Sequence, residues 1–129
     1  MTLSRILYVE DDPDIRTICV MVLESLHGFA LEVCCSGEEA IAKAEAFAPQ
    51  LVLLDVMMPG MDGPETLAAL RRLPGLEKTP VIFMTAKVQA QEVEAYLRLG
   101  ALGVIAKPFD PMSLSDQLRQ LWNKSQEPN

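Results

Sequence analysis

The stretch "LVLLDVMMPGMDG", residues 51–63, carries the decision about the fold. Four apolar residues run without alternation and stop at Asp55, with Pro59, Gly60 and Gly63 close behind. An unbroken apolar run of that length reads as a strand covered on both faces, as in a parallel sheet. A lone acid at its end could be a helix cap or a turn former. The reading of Asp55 therefore depends on how the other strands end.

They end in the same manner. "RILYV" leads into Glu10, Asp11 and Asp12, "VIFMT" ends in Thr85, and "GVIA" leads into Lys107 and Pro108. A weaker run, "ALEVC", lies between the first two. Helical periods separate these runs. Ile15, Ile18, Cys19, Val22 and Leu26 share one face of a first helix that stops near His27 and Gly28, with Val20 or Met21 turned outward. Ser36 and Glu39 fit a capping box that opens a second helix, with Ala40, Ile41 and Ala44 inward and Pro49 beyond its end. Gly63 and Pro64 introduce a third helix carrying Leu67, Leu70 and Leu73. Val93, Tyr96, Leu97 and Gly100 mark a fourth and its stop. Asp110 and Pro111 read as N-cap and first residue of the last helix, with Leu114, Leu118, Leu121 and Trp122 at helical spacing and Trp122 packed on the sheet. Strand and helix alternate five times, which gives an α/β (βα)5 domain with right-handed crossovers.

Composition narrows the class. The chain has 129 residues, half of them apolar, enough for one domain with a real core. No apolar run approaches the roughly 20 residues of a bilayer span, and the first residues lack a signal-peptide layout, so a soluble cytoplasmic chain with no membrane contact is expected. A net charge of −7 without any basic run argues against direct nucleic-acid binding. Cys19, Cys34 and Cys35 have no metal-ligand spacing and read as reduced thiols.

In an open parallel sheet, ligands bind outside the carboxyl ends of the strands. Four strands thus deliver Glu10, Asp11, Asp55, Thr85 and Lys107 to one edge. Packed carboxylates repel unless a cation neutralises them, and an all-oxygen donor set suits a hard ion such as Mg2+, with Mn2+ as the alternative. A metal, an ammonium and a hydroxyl around one carboxylate is an arrangement for phosphoryl transfer with Asp55 as nucleophile. Asp12 before Pro13 reads as a helix N-cap, Asp62 as a turn or cap residue, and His27 as a residue favourable at a helix C-terminus.

"ILYVEDDPDIR", "LVLLDVMMPGMDG", "VIFMTA" and "KPF" together resemble the receiver domain of two-component response regulators, in order and spacing, over nearly the whole chain. The resemblance implies a flavodoxin-like five-stranded sheet of order 2-1-3-4-5 with helices on both faces, residues 1–123 being the receiver and 124–129 a polar tail. It implies that Asp55 is the phosphoacceptor, attacking a phosphohistidine on a histidine kinase or histidine phosphotransfer protein. Asp11 corresponds to the direct Mg2+ ligand, Glu10 to the second acid, and the backbone carbonyl of Met57 to the remaining protein ligand. Thr85 and Lys107 correspond to the hydroxyl and cation that meet the phosphoryl group, and Pro108 to a proline that follows a cis peptide bond and aims Lys107. Such a chain is a two-state switch rather than an enzyme, promoting only its own phosphorylation and dephosphorylation.

Two departures stand out. The aromatic that usually precedes the lysine-proline pair by three residues is replaced by Val104, which leaves backbone movement after Thr85 to carry any coupling. The acidic pair common before the fifth strand in transcription-factor receivers is also missing. The positions that tune hydrolysis in the family hold Met57 and Lys87, and an apolar Met57 implies a persistent phosphoryl group. Few residues follow the fifth helix, so the sequence includes no output domain. That leaves a stand-alone receiver acting by contact with a downstream protein, a phosphorelay intermediate, or a piece of a longer regulator or hybrid kinase. The alternatives are a phosphorylation-independent interaction module and a Mg2+-dependent aspartate phosphatase of the haloacid-dehalogenase type. The phosphatase would want an acid where Met57 stands, together with a cap domain. A flavin carrier would want a phosphate-binding loop where the first strand ends in acids.

Overall fold

Each apolar run forms a strand with the bounds read from the sequence. The computed structural model describes residues 2–127. Its strands are β1 (Arg5–Val9), β2 (Ala30–Cys34), β3 (Leu51–Asp55), β4 (Val81–Thr85) and β5 (Gly103–Ala106). They pair in parallel in the order 2-1-3-4-5, and β3 and β4 are buried along their whole length. That burial explains why their sequences do not alternate. The helices are α1 (Pro13–Val20), α2 (Gly37–Phe47), α3 (Gly63–Leu70), α4 (Ala90–Arg98) and α5 (Leu114–Ser125).

Two apolar clusters cover the sheet. On one face Cys19, Val22 and Leu23 meet Leu114, Leu118 and Trp122 over Ile6, Tyr8, Leu53 and Met84. On the other, Ala40, Ala44, Leu67 and Leu70 lie over Leu7, Val9, Leu54 and Phe83. Burying a large apolar side chain stabilises the fold by about 1.5–3 kcal/mol. By that measure α5, which buries Leu114, Leu118 and Trp122, is firmly held, whereas α4 buries no residue fully. All three thiols are free, and burial pushes those of Cys19 and Cys34 up to about 12.

Several local expectations are corrected. The first helix does not run on as an α-helix to His27: Met21–Leu26 form a π-helical segment. A wider turn means that four residues no longer complete a revolution. Val22 and Leu23 stay inward, but Leu26 is 64% exposed, as is Ile18 to 47%, so neither belongs to the core face. Met21 is the outward residue, while Val20 packs partly against the core. α3 ends at Leu70, and Leu73 lies in the following turn, where its amide donates to Leu70 O. Leu97 is exposed.

Asp110 and Pro111 do not open α5. Asp110 instead closes a turn, its Oδ1 accepting from Met112 N at 3.0 Å and its carbonyl from Ser113 N, and the helix starts at Leu114. The side-chain bond is one that an N-cap would also make. What delays the helix is the i+3 bond from Ser113 N to Asp110 O, which closes residues 110–113 as a turn. The helical ladder begins only after it, with Gln117 N on Ser113 O. At its other end α5 includes Lys124 and Ser125 of the segment read as a tail, whereas Pro128 and Asn129 lie outside the described residues.

Asp12 and Asp62 cap their helices as read, whereas Ser36 and Glu39 form only half of the expected box, since Glu39 accepts from Cys35 N and not from Ser36 N. Asp12 Oδ1 accepts from Asp14 N and Ile15 N, Asp62 and Glu65 form a full capping box, and Ser36 Oγ accepts from Glu39 N. Glu39 reaches back to Cys35 N and pairs with Lys43 Nζ at 2.9 Å. Those contacts, Lys43 foremost, hold its carboxyl down at about 2.

One close approach matters for the site. A Cβ on Gly63 would fall 2.7 Å from Asp55 O and 2.8 Å from Val56 Cα, both backbone atoms. Gly63→Ala is therefore expected to destabilise the fold by about 1–3 kcal/mol, the usual cost of overpacking. Urea unfolding reads this as a lower midpoint at unchanged slope, and an unchanged midpoint would count against so tight a junction.

Candidate functional site

The C-terminal edge of the sheet collects the strand-end residues. Glu10 follows β1, Asp55 ends β3, Thr85 ends β4 and Lys107 follows β5. Glu10, Asp55 and Thr85 are buried at 0%, 3% and 1% exposure, and Asp11 is half-buried. Carboxylate oxygens of Glu10, Asp11 and Asp55 lie within 4.8 Å of one another. Lys107 Nζ stands 2.8 Å from Glu10 Oε1 and 3.0 Å from Asp55 Oδ1. The Lys107–Pro108 peptide is cis. An open cleft of about 310 Å³ lies over these groups and is also lined by Asp12, Ile15, Met57 and Ala86.

The electrostatics follow from that crowding. Burial and the neighbouring Glu10 raise the Asp55 carboxyl to about 7, and Lys107 lowers it only in part. Burial alone would depress the Lys107 ammonium, but its bonds to Glu10 and Asp55 more than offset this and hold it above its ordinary value. Three acids against one cation leave negative charge unmet. An all-oxygen set of this kind fits a hard divalent ion, which tolerates carboxylates and water as ligands.

Other site contacts had no signal in the sequence pattern. Arg16, one turn into α1, donates from Nη1 to Glu10 O at 2.8 Å and so steadies the acidic loop. Asp12 N donates to Glu10 Oε2 at 3.2 Å. The Lys107–Glu10 pair likewise has no signal in the sequence pattern. Thr85 Oγ1 accepts from Lys87 N at 3.0 Å, tying the hydroxyl to the loop that leads into α4. Met57 is 63% exposed at the rim of the cleft. Val104 is not at the site: it packs on the α3 and α4 side of the sheet beside Phe83. Asp62 serves α3 as its cap, and His27 is exposed at the far end of the π-helical segment.

The family model of the response regulator receiver domain matches residues 6–119. An "Uncharacterized 14.6 kDa protein in sodA1 3'region" of Leptolyngbya boryana is 37% identical over 115 residues, 89% of this chain and 87% of that protein. The DNA-binding response regulator MtrA of Mycolicibacterium smegmatis is 34% identical over 124 residues, 96% of this chain and 53% of that protein. The chain thus spans about half the length of that relative. The chemotaxis response regulator CheY4 of Vibrio cholerae superposes with a TM-score of 0.85 at 30% identity, covering 93% of this chain and 99% of that one.

The raised carboxyl of Asp55 sets a pH dependence for the metal-free chain. Its folded value near 7 lies above the ordinary 3.8, so between about pH 4 and pH 7 the folded state binds this proton more tightly than the unfolded state. Its contribution to stability is present below that window and declines as pH rises through it. Unfolding midpoints in EDTA are expected to show this decline in the native chain and a flatter profile in Asp55→Asn. Parallel profiles would show that Asp55 keeps an ordinary carboxyl.

Proposed function

As the chain belongs to the response regulator receiver family, we propose that it is a phosphorylation switch with Asp55 as the phosphoacceptor. The observation that supports this most directly is the buried Asp55 carboxylate, crowded by Glu10 and Asp11 and paired with Lys107 at 3.0 Å beneath an open cleft. The donor is a phosphohistidine on a histidine kinase or histidine phosphotransfer protein. An Asp55 oxygen attacks phosphorus, the P–N bond breaks, and the imidazole leaves with the electron pair and takes up a proton.

Glu10, Asp11, Asp55 and the backbone carbonyl of Met57 would hold Mg2+, or Mn2+ in its place. Such an ion would supply positive charge against the phosphoryl oxygens and favour the ionised form of Asp55. Lys107, already between Glu10 and Asp55, stays within reach of a phosphoryl oxygen as the carboxylate becomes an acyl phosphate. The Thr85 hydroxyl, now accepting from Lys87 N, supplies a donor to a second oxygen. Acceptance and loss of the group are the whole of its chemistry, so the chain acts on itself and not as an enzyme on other substrates. The setting is cytoplasmic; among the described residues no helix is long and apolar enough to cross a membrane. The output is a changed surface for a downstream protein, with no direct contact to nucleic acid.

Intact mass after incubation with acetyl phosphate tests the reading. One phosphoryl group is expected on the native chain with Mg2+, and none with EDTA or on Asp55→Asn. No adduct on a folded native chain would instead favour a receiver-shaped binding module.

The rim position of Met57 adds a second expectation. Its thioether cannot orient an attacking water, so Met57→Asn should shorten the phosphoryl lifetime, by up to roughly 100-fold, the low end of what positioned proton transfer contributes. Decay of the added mass measures it, and an equal lifetime in both chains would remove Met57 from that role.

A further inference from the structure

Arg16 is half-buried in α1, and its guanidinium turns back to the loop that follows β1. Nη1 donates to Glu10 O at 2.8 Å and reaches Asp11 O at 3.5 Å. These two carbonyls belong to the peptide planes on either side of the Asp11 Cα. The second plane is also held at its nitrogen end, where Asp12 N donates to Glu10 Oε2 at 3.2 Å. A peptide unit is planar, so holding both planes fixes the two soft dihedrals of Asp11. The direction of its Cα–Cβ bond is fixed with them.

Asp11 depends on its backbone more than the other two acids do. Glu10 and Asp55 are each paired with Lys107, whereas the Asp11 carboxylate has no ion-pair partner among the described residues. It nevertheless offers an oxygen within 4.8 Å of oxygens on Glu10 and Asp55, at the cleft. Arg16 forms no ion pair among the described residues either; its bonds go to carbonyls. A cation beside a metal site acts in two opposite directions. Its charge repels the ion, while its hydrogen bonds shape the ligands. One planar guanidinium meeting two carbonyls is a geometric device that the point charge of an ammonium does not reproduce.

We infer that Arg16 is a positioning residue for the divalent ion: by holding the peptide planes around Asp11, it aims that carboxylate and raises the affinity of the site. This rests on the reading of Glu10, Asp11 and Asp55 as the ion's ligands. Groups that orient a metal's ligands without touching the metal contribute about 10- to 100-fold in affinity.

The test uses Mn2+, whose free form is counted by electron paramagnetic resonance, with Arg16→Lys and Arg16→Met. Lys keeps the charge without the fork, and Met keeps neither. Unfolding in EDTA checks that both variants are folded. The expected result is a roughly tenfold weaker Mn2+ affinity in both. In EDTA, nitrogen relaxation should show the amides of Asp11 and Asp12 falling below the order parameter of about 0.85 that marks rigid backbone. Glu10 N, bonded to Cys34 O at 3.0 Å, should stay ordered. An unchanged affinity in Arg16→Lys, or a tighter one in Arg16→Met, would assign the effect to charge and overturn the inference. Amides of Asp11 and Asp12 that stay ordered in both variants, or loosening spread through the whole of α1, would overturn it as well. A native chain that binds no Mn2+ removes the site and the inference together. Should the ion affinities come out as expected while acetyl phosphate adds no mass to the native chain, the phosphoacceptor reading fails and Arg16 keeps this role.

Discussion

Two carboxylates and an ammonium lie inside the C-terminal edge of the sheet, nearly out of reach of water. Glu10 and Asp55 have lost their solvent, and the cost of an ion left alone in such a place is several kcal/mol. Lys107 is what makes their burial tolerable, and it arrives from two strands away. Neighbouring strands lie about 4.8 Å apart, so β5 stands roughly 10 Å from β3. The lysine stem spans that gap over β4, where Thr85 sits. The order 2-1-3-4-5 therefore does more than stack apolar faces: it puts an acid, an acid, a hydroxyl and a cation at successive positions along one edge. α1 contributes by returning Arg16 to the carbonyl of Glu10.

The balance at this edge is deliberately incomplete in its charge. With Asp11 included, three acids share one ammonium, and Asp55 is the member that gives way by holding its proton toward neutral pH. Its protonation state is therefore tied to the charge around it, and a further cation among the three acids would favour its ionised form. The same edge is mechanically uneven. β3 and β4 are buried along their whole length between the two clusters, whereas α4 has no fully buried residue.

What could be read from the sequence was whatever is written in short, contiguous patterns. All five strands appear with the observed bounds, most clearly β3 and β4, whose unbroken apolar runs reflect cover on both faces. Least clear is the edge strand β2, which carries Glu32 and is only partly buried. The strand-end acids, Thr85 and Lys107 follow from topology alone. The caps at Asp12, Ser36 and Asp62 also show, since each is a local bond between a side chain and a nearby amide. What did not show depends on choices between near-equal backbones or on contacts far apart in the chain. Asp110 satisfies a turn as well as a helix start, and residues 21–26 satisfy an α-helical period that the backbone does not adopt. The Arg16 contact to a carbonyl and the meeting of Tyr96 with Phe83 have no periodic signature at all.

The π-helical segment at Met21–Leu26 has a bearing on how this chain tolerates changes in length. A wide turn carries residues that an ordinary turn would not need, and here it lies between a helix fixed to the acidic loop at one end and β2 at the other. Removing one residue from an α-helix rotates everything beyond it by about 100° and turns the core face to water. Removing one from a π-helical turn lets the backbone tighten to α-helical spacing, with Val22, Leu23 and Phe29 still able to face inward. The segment after α1 is thus expected to absorb a single deletion as a change of pitch, where the same deletion within α1 would turn the core face.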